Sequence, residues 1–292
     1  MQIILVFLSV VIIWSTTPLA IVWSTLGSSF NFSVALRMLI GLAICLLLLR
    51  IKKQKLTLTR LAIRHYLHAG AGIFITMSLV YYASQNISSG IISIIFGLTP
   101  VITGVFAFVL LKDQFLSVSK IIGLLIGLFG LVFIFSHSLL NASSLLIPGL
   151  LAVTLAMAFQ AFISVKLKHI NAHISALETT TGALIISTPL FILSWLLTGG
   201  DIPEITSKAG FSIVYLALFG SVIGFMSYYY LIRHTTIQIV GIVPLITPVF
   251  ALLLGSTLNH ETLTNAQLSG IIFVLAGLGI YEYGGKVFWI KK

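Results

Sequence analysis

Residues 88–113 read SSGIISIIFGLTPVITGVFAFVLLKD, and residues 236–261 read TIQIVGIVPLITPVFALLLGSTLNHE. At a constant offset of 148 the two stretches share Ile91 with Ile239, Ile94 with Ile242, Thr99 with Thr247, Pro100 with Pro248, Val101 with Val249, and an acid, Asp113 with Glu261. The match extends outward on both sides. Upstream, Tyr81 and Tyr82 recur as Tyr229 and Tyr230; downstream, after a one-residue deletion, Gly123, Leu128, Gly130 and Leu131 recur as Gly270, Leu275, Gly277 and Leu278. The chain is an internal duplication in which each copy takes about half the length. Because the duplicated unit is almost wholly apolar, it reads as a membrane repeat, and paired repeats in membranes are the usual architecture of secondary transporters.

Composition agrees. With 59% hydrophobic residues, 8% charged residues and a mean hydropathy of +1.16, the chain has too little polar surface to coat a soluble globule. A membrane span takes about 20 apolar residues, so ten spans use most of the 292 positions and leave no room for a soluble domain. Cys45 is the only cysteine and lies in an apolar run, which excludes an intrachain disulfide or a cysteine-ligated cofactor. The stretch from Ile3 to Trp23 lacks the basic start of a signal peptide and is expected to be a retained first span.

Ten apolar runs are predicted to be helical spans, the only form such lengths suit in lipid. The first five lie near Gln2 to Ser24, Ser33 to Leu49, Tyr66 to Ser84, Ser88 to Leu111 and Val118 to Phe135. The second five lie near Leu145 to Val165, Ile174 to Leu197, Phe211 to Ile232, Gln238 to Leu258 and Ala266 to Tyr283. The fold class expected is all-α integral membrane, with repeats at 1–140 and 141–292. If the N-terminus is cytoplasmic, every one of the 16 Lys and Arg residues except Arg37 and Lys208 falls on the inner side. The net charge of +10 is thus a topology signal; nucleic acid is not an expected partner, because no stacking aromatics are interleaved with the charges. Five is odd, so the two copies enter the membrane from opposite sides, and inverted copies around one site can exchange an inward-open for an outward-open state.

The duplicated Thr-Pro helix, the acid thirteen residues past each proline, the Gly-rich span that follows, Trp14 in the first span and Arg37 in the second together resemble the EamA family of the drug/metabolite transporter superfamily. The resemblance covers nearly the whole chain. It implies a ten-helix carrier of a bacterial inner membrane, multi-pass with both termini cytoplasmic, and a central cavity lined mainly by the first, third, fourth, sixth, eighth and ninth helices. It also implies transport of small metabolites, with export of amino acids or related compounds as the leading expectation and uptake of a nucleoside, sugar or methyl donor as the alternative. Asp113 departs from the glutamate commoner at that point of the first copy, which leaves the cargo open.

The candidate substrate-binding residues are Trp14, Arg37, Tyr82, Thr99, Pro100, Gln160, Tyr229, Thr247 and Pro248. Pro100 and Pro248 each remove a helix hydrogen bond, either as packing kinks or as hinges at symmetry-related points of a cavity. Arg37 in an apolar span must snorkel, pair or line water; facing a cavity, its guanidinium would bind a carboxylate or phosphate. Trp14 offers an aromatic face beside Ser15, Thr16 and Thr17, just before Pro18; those hydroxyls either line a broken helix or re-satisfy its carbonyls. Gln160 is a cavity donor or an interhelix hydrogen bond. Tyr82 and Tyr229, with Tyr81, Tyr228 and Tyr230, are cavity residues or interfacial belt tyrosines.

Glu178 could relay protons, but its place beside a basic loop makes pairing with Lys166, Lys168 or a histidine the expected use. His65 with His68 and His169 with His173 have helical ligand spacing but lack neighbouring acids or cysteines, so no metal and no cofactor is expected. Gly123, Gly127 and Gly130, and again Gly220 and Gly224, form small-residue faces for packing within the chain or in a dimer, so monomer and homodimer both stay open. Asn31, Asn86 and Asn141 begin Asn-X-Ser sequons to which no function is attached. No nucleophile with a base appears at depth, so an enzyme is not expected; the partners are a small-molecule substrate and the lipid bilayer.

Overall fold

The structure, a computed structural model, describes residues 2–111, 118–119, 121–123, 125–127, 129–130, 146–170, 172–259 and 265–288. Asp113, Asn141, Glu261 and the expected repeat boundary at 140/141 lie outside these residues. Every regular element among the described residues is helical. In chain order they are α1 (Gln2–Ser24), α2 (Phe30–Ile51), α3 (Arg60–Ala83), α4 (Ser89–Phe96), α5 (Thr99–Leu111), helical residues between 118 and 130, α6 (Leu146–Ile170), α7 (Ala176–Leu197), α8 (Ser207–Tyr215), a π-helical segment Leu216–Gly224, α9 (Phe225–His234), α10 (Ile237–Leu258) and α11 (Asn265–Phe288).

Hydroxyl caps fix where several helices begin. Ser29, Thr59, Ser88, Ser175 and Thr206 each accept a hydrogen bond from the backbone N–H three residues on, satisfying an orphan donor of the first turn. These caps explain why α2 and α3 begin earlier than hydropathy suggested. Thr59 starts α3 at Arg60, six residues before Tyr66, and Ser29 starts α2 at Phe30, before the expected Ser33. Arg37 therefore lies seven residues past Phe30, about 10 Å down the helix at 1.5 Å per residue. Pro18 does not break α1, which runs unbroken from Gln2 to Ser24.

Among the described residues, six stretches are long and apolar enough to cross a membrane: Gln2–Ser24, Phe30–Ile51, Ser89–Leu110, Leu146–Ile170, Ala176–Leu197 and Ser207–His234. Their outer surfaces remain apolar, with Ile4, Ile12, Leu47, Val109, Leu155, Leu197 and Phe211 all exposed. The interior, by contrast, holds Ser15, Ser24, Ser33, Arg37, Thr76, Ser93, Thr180 and Thr188. Apolar outside with polar groups gathered within is the distribution lipid imposes, and the chain is a multi-pass membrane protein.

Interhelix contacts fix relative directions. Asn31 Nδ2 donates to Thr198 Oγ1 at 3.2 Å and Thr188 Oγ1 to the Met38 carbonyl at 3.4 Å, so α2 and α7 run oppositely. Pro248 approaches Gly97 while Gly241 lies against Pro100, so α4–α5 and α10 are also antiparallel. Gly123 abuts Gly277, and Gly130 abuts the Gly270 carbonyl; a Cβ on Gly130 would come within 2.6 Å of that oxygen. Only residues without a Cβ allow backbones this close. The Gly123 and Gly130 face is thus consumed in packing within the chain.

Two ends are distinct. One carries Arg50 in the last turn of α2, Lys52, Lys53 and Lys55 after it, Arg60 and Arg64 at the start of α3, Lys168 near the end of α6 and Arg233 near the end of α9. At the other, Trp23 Nε1 donates to Asn259 Oδ1 at 2.8 Å, the Lys208 ammonium stands 4.1 Å from the Trp23 ring centre, and Asn31 meets Ser194 and Thr198.

Candidate functional site

α1, α2, α3, α4, α6, the π-helical segment, α9 and α10 converge on a cavity whose empty space, with the open solvent at its mouth included, is about 620 Å³. Its walls include Trp14, Thr17, Pro18, Arg37, Met77, Ser93, Phe96, Gln160, Gly220, Phe225, Pro244 and Thr247. Of the residues proposed from sequence, Trp14, Arg37, Gln160 and Thr247 are brought together here.

Arg37 is 1% exposed and is the one formal charge on the cavity wall among the described residues. Nε donates to Ser221 Oγ at 2.9 Å, Nη1 to Tyr81 Oη at 3.4 Å, and Met77 Sδ lies 3.9 Å from Nη1. All of these partners are neutral. The acids whose side chains are described are elsewhere: Asp201 and Glu204 lie in the loop before α8, and Glu178 is at the start of α7. Of the three alternatives for this residue, snorkelling, pairing or lining a cavity, the geometry shows the third. Inserting such a charge at bilayer depth costs about 2.5–3.5 kcal/mol on insertion scales, and the cost persists until a counter-charge arrives.

Local structure explains how the guanidinium is held. The π-helical segment Leu216–Gly224 adds a residue per turn, and single π-turns concentrate at functional sites. It places Gly220 and Ser221 against Arg37: Ser221 accepts from Nε, and a Cβ on Gly220 would come 2.8 Å from Nη2. Neither residue was singled out for this role from sequence. Gly220 read only as part of a small-residue face, and nothing in LALFGSVIG announces a π-helix.

The remaining candidates fall elsewhere. Thr99 is buried and donates to the Phe96 carbonyl at 2.5 Å; Pro100 and Pro248 pack against Gly241 and Gly97, between helices and off the cavity wall. Tyr82 is half-buried, edge-on to Phe30 at 6.3 Å, also off the wall. The hydroxyls near Pro18 answer carbonyls of their own helix: Ser15 donates to Val11 at 2.7 Å, Thr16 to Ile13 at 2.9 Å and Thr17 to Ile13 at 2.7 Å. Thr16 also meets Tyr215 Oη at 2.5 Å.

Two further cavities continue toward the basic end. The second, about 380 Å³, shares Trp14, Met77, Gln160 and Phe225 with the first and adds Thr76, Ser164, Tyr228 and Tyr229. Tyr228 is hydrogen-bonded to Ser164 and its ring lies 4.9 Å from that of Trp14, so Trp14, Phe225 and Tyr228 form an aromatic waist. The third, about 360 Å³, shares Tyr229 with the second and is lined by His65, Lys168, His173, Thr179 and Arg233. Tyr229 therefore stands between two cavities rather than beside Arg37.

Glu178 corrects the expectation of an ion pair. Its carboxylate accepts from the Thr57 backbone N–H and hydroxyl at 3.1 and 2.8 Å and from the Ser175 N–H at 2.9 Å, completing a capping box. A carboxylate in the first turn gains from the free N–H groups and the helix dipole, which outcompetes a distant lysine. Lys168 instead donates to the carbonyls of Ile232, Arg233 and Thr235 at 2.8, 3.5 and 2.6 Å, closing the C-terminus of α9.

Comparison with known proteins bears on the same architecture. The sequence model of the EamA-like transporter family matches residues 1–136 and 147–281. The chain is 26% identical over 286 residues to the uncharacterized transporter YoaV of Bacillus subtilis, covering 95% of each chain. It is 31% identical over 209 residues to the uncharacterized inner membrane transporter YedA of Escherichia coli, covering 69% of this chain and 66% of that protein. A solved crystal structure superposes with a TM-score of 0.74 at 18% identity, covering 98% of this chain and 99% of the other, which establishes the shared fold. A family match that spans both halves of a helical membrane bundle leaves one assignment: the chain belongs to the EamA-like transporter family and is a membrane transporter.

Proposed function

We propose that the chain is a secondary carrier with ten spans in two inverted repeats, 1–140 and 141–292, that moves a small carboxylate-bearing metabolite by alternating access. Amino acids and related compounds are the first cargo to assay, with export as the physiological direction. The observation that carries the reading is Arg37: a buried guanidinium whose partners among the described residues are all neutral, on the wall of a central cavity. A guanidinium fork matches a carboxylate with two parallel hydrogen bonds.

Helix directions support inversion. Segments equivalent by the 148 offset, α4–α5 and α10, run antiparallel. The glycine contacts are reciprocal: Gly123 corresponds to Gly270 and Gly130 to Gly277, and the observed neighbours are Gly123 with Gly277 and Gly130 with Gly270. Such self-complementary pairing is what a two-fold axis between equivalent elements produces. The basic end supports a cytoplasmic placement of both termini.

Transport is tested with purified protein in proteoliposomes, loaded with a mixture of unlabelled amino acids and organic acids and assayed for counterflow of each labelled compound. Saturable counterflow that Arg37→Gln abolishes is expected. Counterflow at an unchanged rate in Arg37→Gln would remove Arg37 from the site.

A further inference from the structure

Resting on the proposed role as a carrier of carboxylates but departing from amino acids as its first cargo, we infer that the protein takes apolar monocarboxylates, an aliphatic or aromatic body bearing one carboxylate, in preference to zwitterions of the same body.

Three observations converge. First, none of the acids whose side chains are described, Glu178, Asp201 and Glu204, lines any of the three cavities, so a cargo ammonium meets no counter-charge from them there. Neutral acceptors exist, above all the Trp14 carbonyl that Pro18 leaves without an N–H donor, but none carries charge. Stripping water from an ammonium without an anion to receive it is costly, and Arg37 in the same chamber adds like-charge repulsion.

Second, the groups left unanswered on these walls suit an anion. Arg37 Nη2 has no protein partner among the described residues, and the buried Thr76 Oγ1 and His65 Nδ1 have none either. These belong to the first, second and third cavities in turn. A hydroxyl and an imidazole can each donate to a passing carboxylate. By contrast the polar side chains Thr17, Ser93 and Thr247 already donate to carbonyls of their own helices.

Third, the two ends of the path carry the same sign. Arg37 is positive at one end, and Lys168 and Arg233 are positive at the other, with the aromatic waist of Trp14, Phe225 and Tyr228 between them. A body that crosses the waist must be apolar, and a charge attracted at both ends must be negative.

The test uses matched pairs that differ only in the α-amino group: 3-phenylpropionate with phenylalanine, indole-3-propionate with tryptophan, and 4-methylpentanoate with leucine, plus phenethylamine as the amine without an acid. Thermal unfolding of the purified full-length protein is followed as each compound is titrated, since a ligand of the native state raises its stability by mass action. At least one acid is expected to stabilise the protein at a concentration tenfold or more below its amino acid, phenethylamine is expected to have no effect, and Arg37→Gln is expected to lose the response. Stabilisation by none of the three acids, by amino acids at equal or lower concentration, or by phenethylamine would overturn the inference. Counterflow of the acid that binds separates the two levels: binding without flux upholds the site's selectivity and removes the carrier reading, whereas flux of an amino acid with no binding of the acids removes the selectivity and leaves the carrier.

Discussion

Arg37 sits in the interior of this bundle and Lys168 at its edge, and the protein treats the two cations oppositely. Lys168 spends its ammonium protons on three backbone carbonyls at the end of α9, where helix geometry leaves acceptors without donors. Arg37, more deeply buried, meets a serine hydroxyl, a tyrosine hydroxyl and a thioether, and keeps one nitrogen facing no protein partner among the described residues. A satisfied charge holds structure together. An unsatisfied one is a standing demand for a ligand, tolerated because the ligand answers it.

The contrast breaks if the two residues respond alike to substitution. The largest effect is expected from Arg37→Gln, which should weaken cargo binding by about 3 kcal/mol, the loss typical of one partner in a desolvated charge pair, while unfolding temperature stays level or rises. Titration calorimetry with a counterflow-active compound, alongside thermal unfolding, measures both. Lys168→Met should do the reverse, lowering stability by about 2 kcal/mol through three abandoned carbonyls and leaving the affinity of the folded fraction intact. Size-exclusion profiles after heating would reveal it, and a binding defect at unchanged stability would erase the distinction.

Gly220→Ala sharpens the comparison further. The new Cβ would stand 2.8 Å from Arg37 Nη2, so the flexible end of the arginine must shift while the backbone stays in place. Affinity is expected to fall about tenfold, or about 1.4 kcal/mol, with little change in stability, because a small displacement spoils a bidentate fork. Ser221→Ala removes only the acceptor at Nε and is expected to cost about 1 kcal/mol or less in binding. Equal binding by all four variants and the parent protein would move the site away from Arg37.

How much of this was legible beforehand depends on which physical rule decides each residue. Hydropathy and charge placement located the helices, because lipid forbids alternatives. Trp14, Arg37, Gln160 and Thr247 stood out as polar or aromatic groups in apolar runs, and they share one cavity. The two Thr-Pro motifs could not be ranked. In the first copy Gly97 and Leu98 separate α4 from α5, and Thr99 packs away from the cavity; in the second, Leu245 and Ile246 occupy the equivalent places, α10 runs on through Pro244 and Pro248, and Thr247 lines the wall. Glycine is a poor helix former and leucine a good one, so one dipeptide difference changes what the same proline does. The π-helical segment was not legible at all, since its apolar sequence carries no signal for the extra residue per turn, and the contacts of Gly220 with Arg37 and of Gly224 with α1 join residues far apart in the chain.

The central claim is that the Arg37 cavity opens to each side of the membrane in turn. Ser93→Cys, on the cavity wall, in a Cys45→Ala background can be labelled with a membrane-impermeant thiol reagent applied to one face of oriented vesicles and then, separately, to the other. Labelling from both faces is expected, with cargo and a locked conformation each suppressing one of them. Labelling confined to a single face under all conditions would contradict alternating access and with it the account of this protein as a carrier.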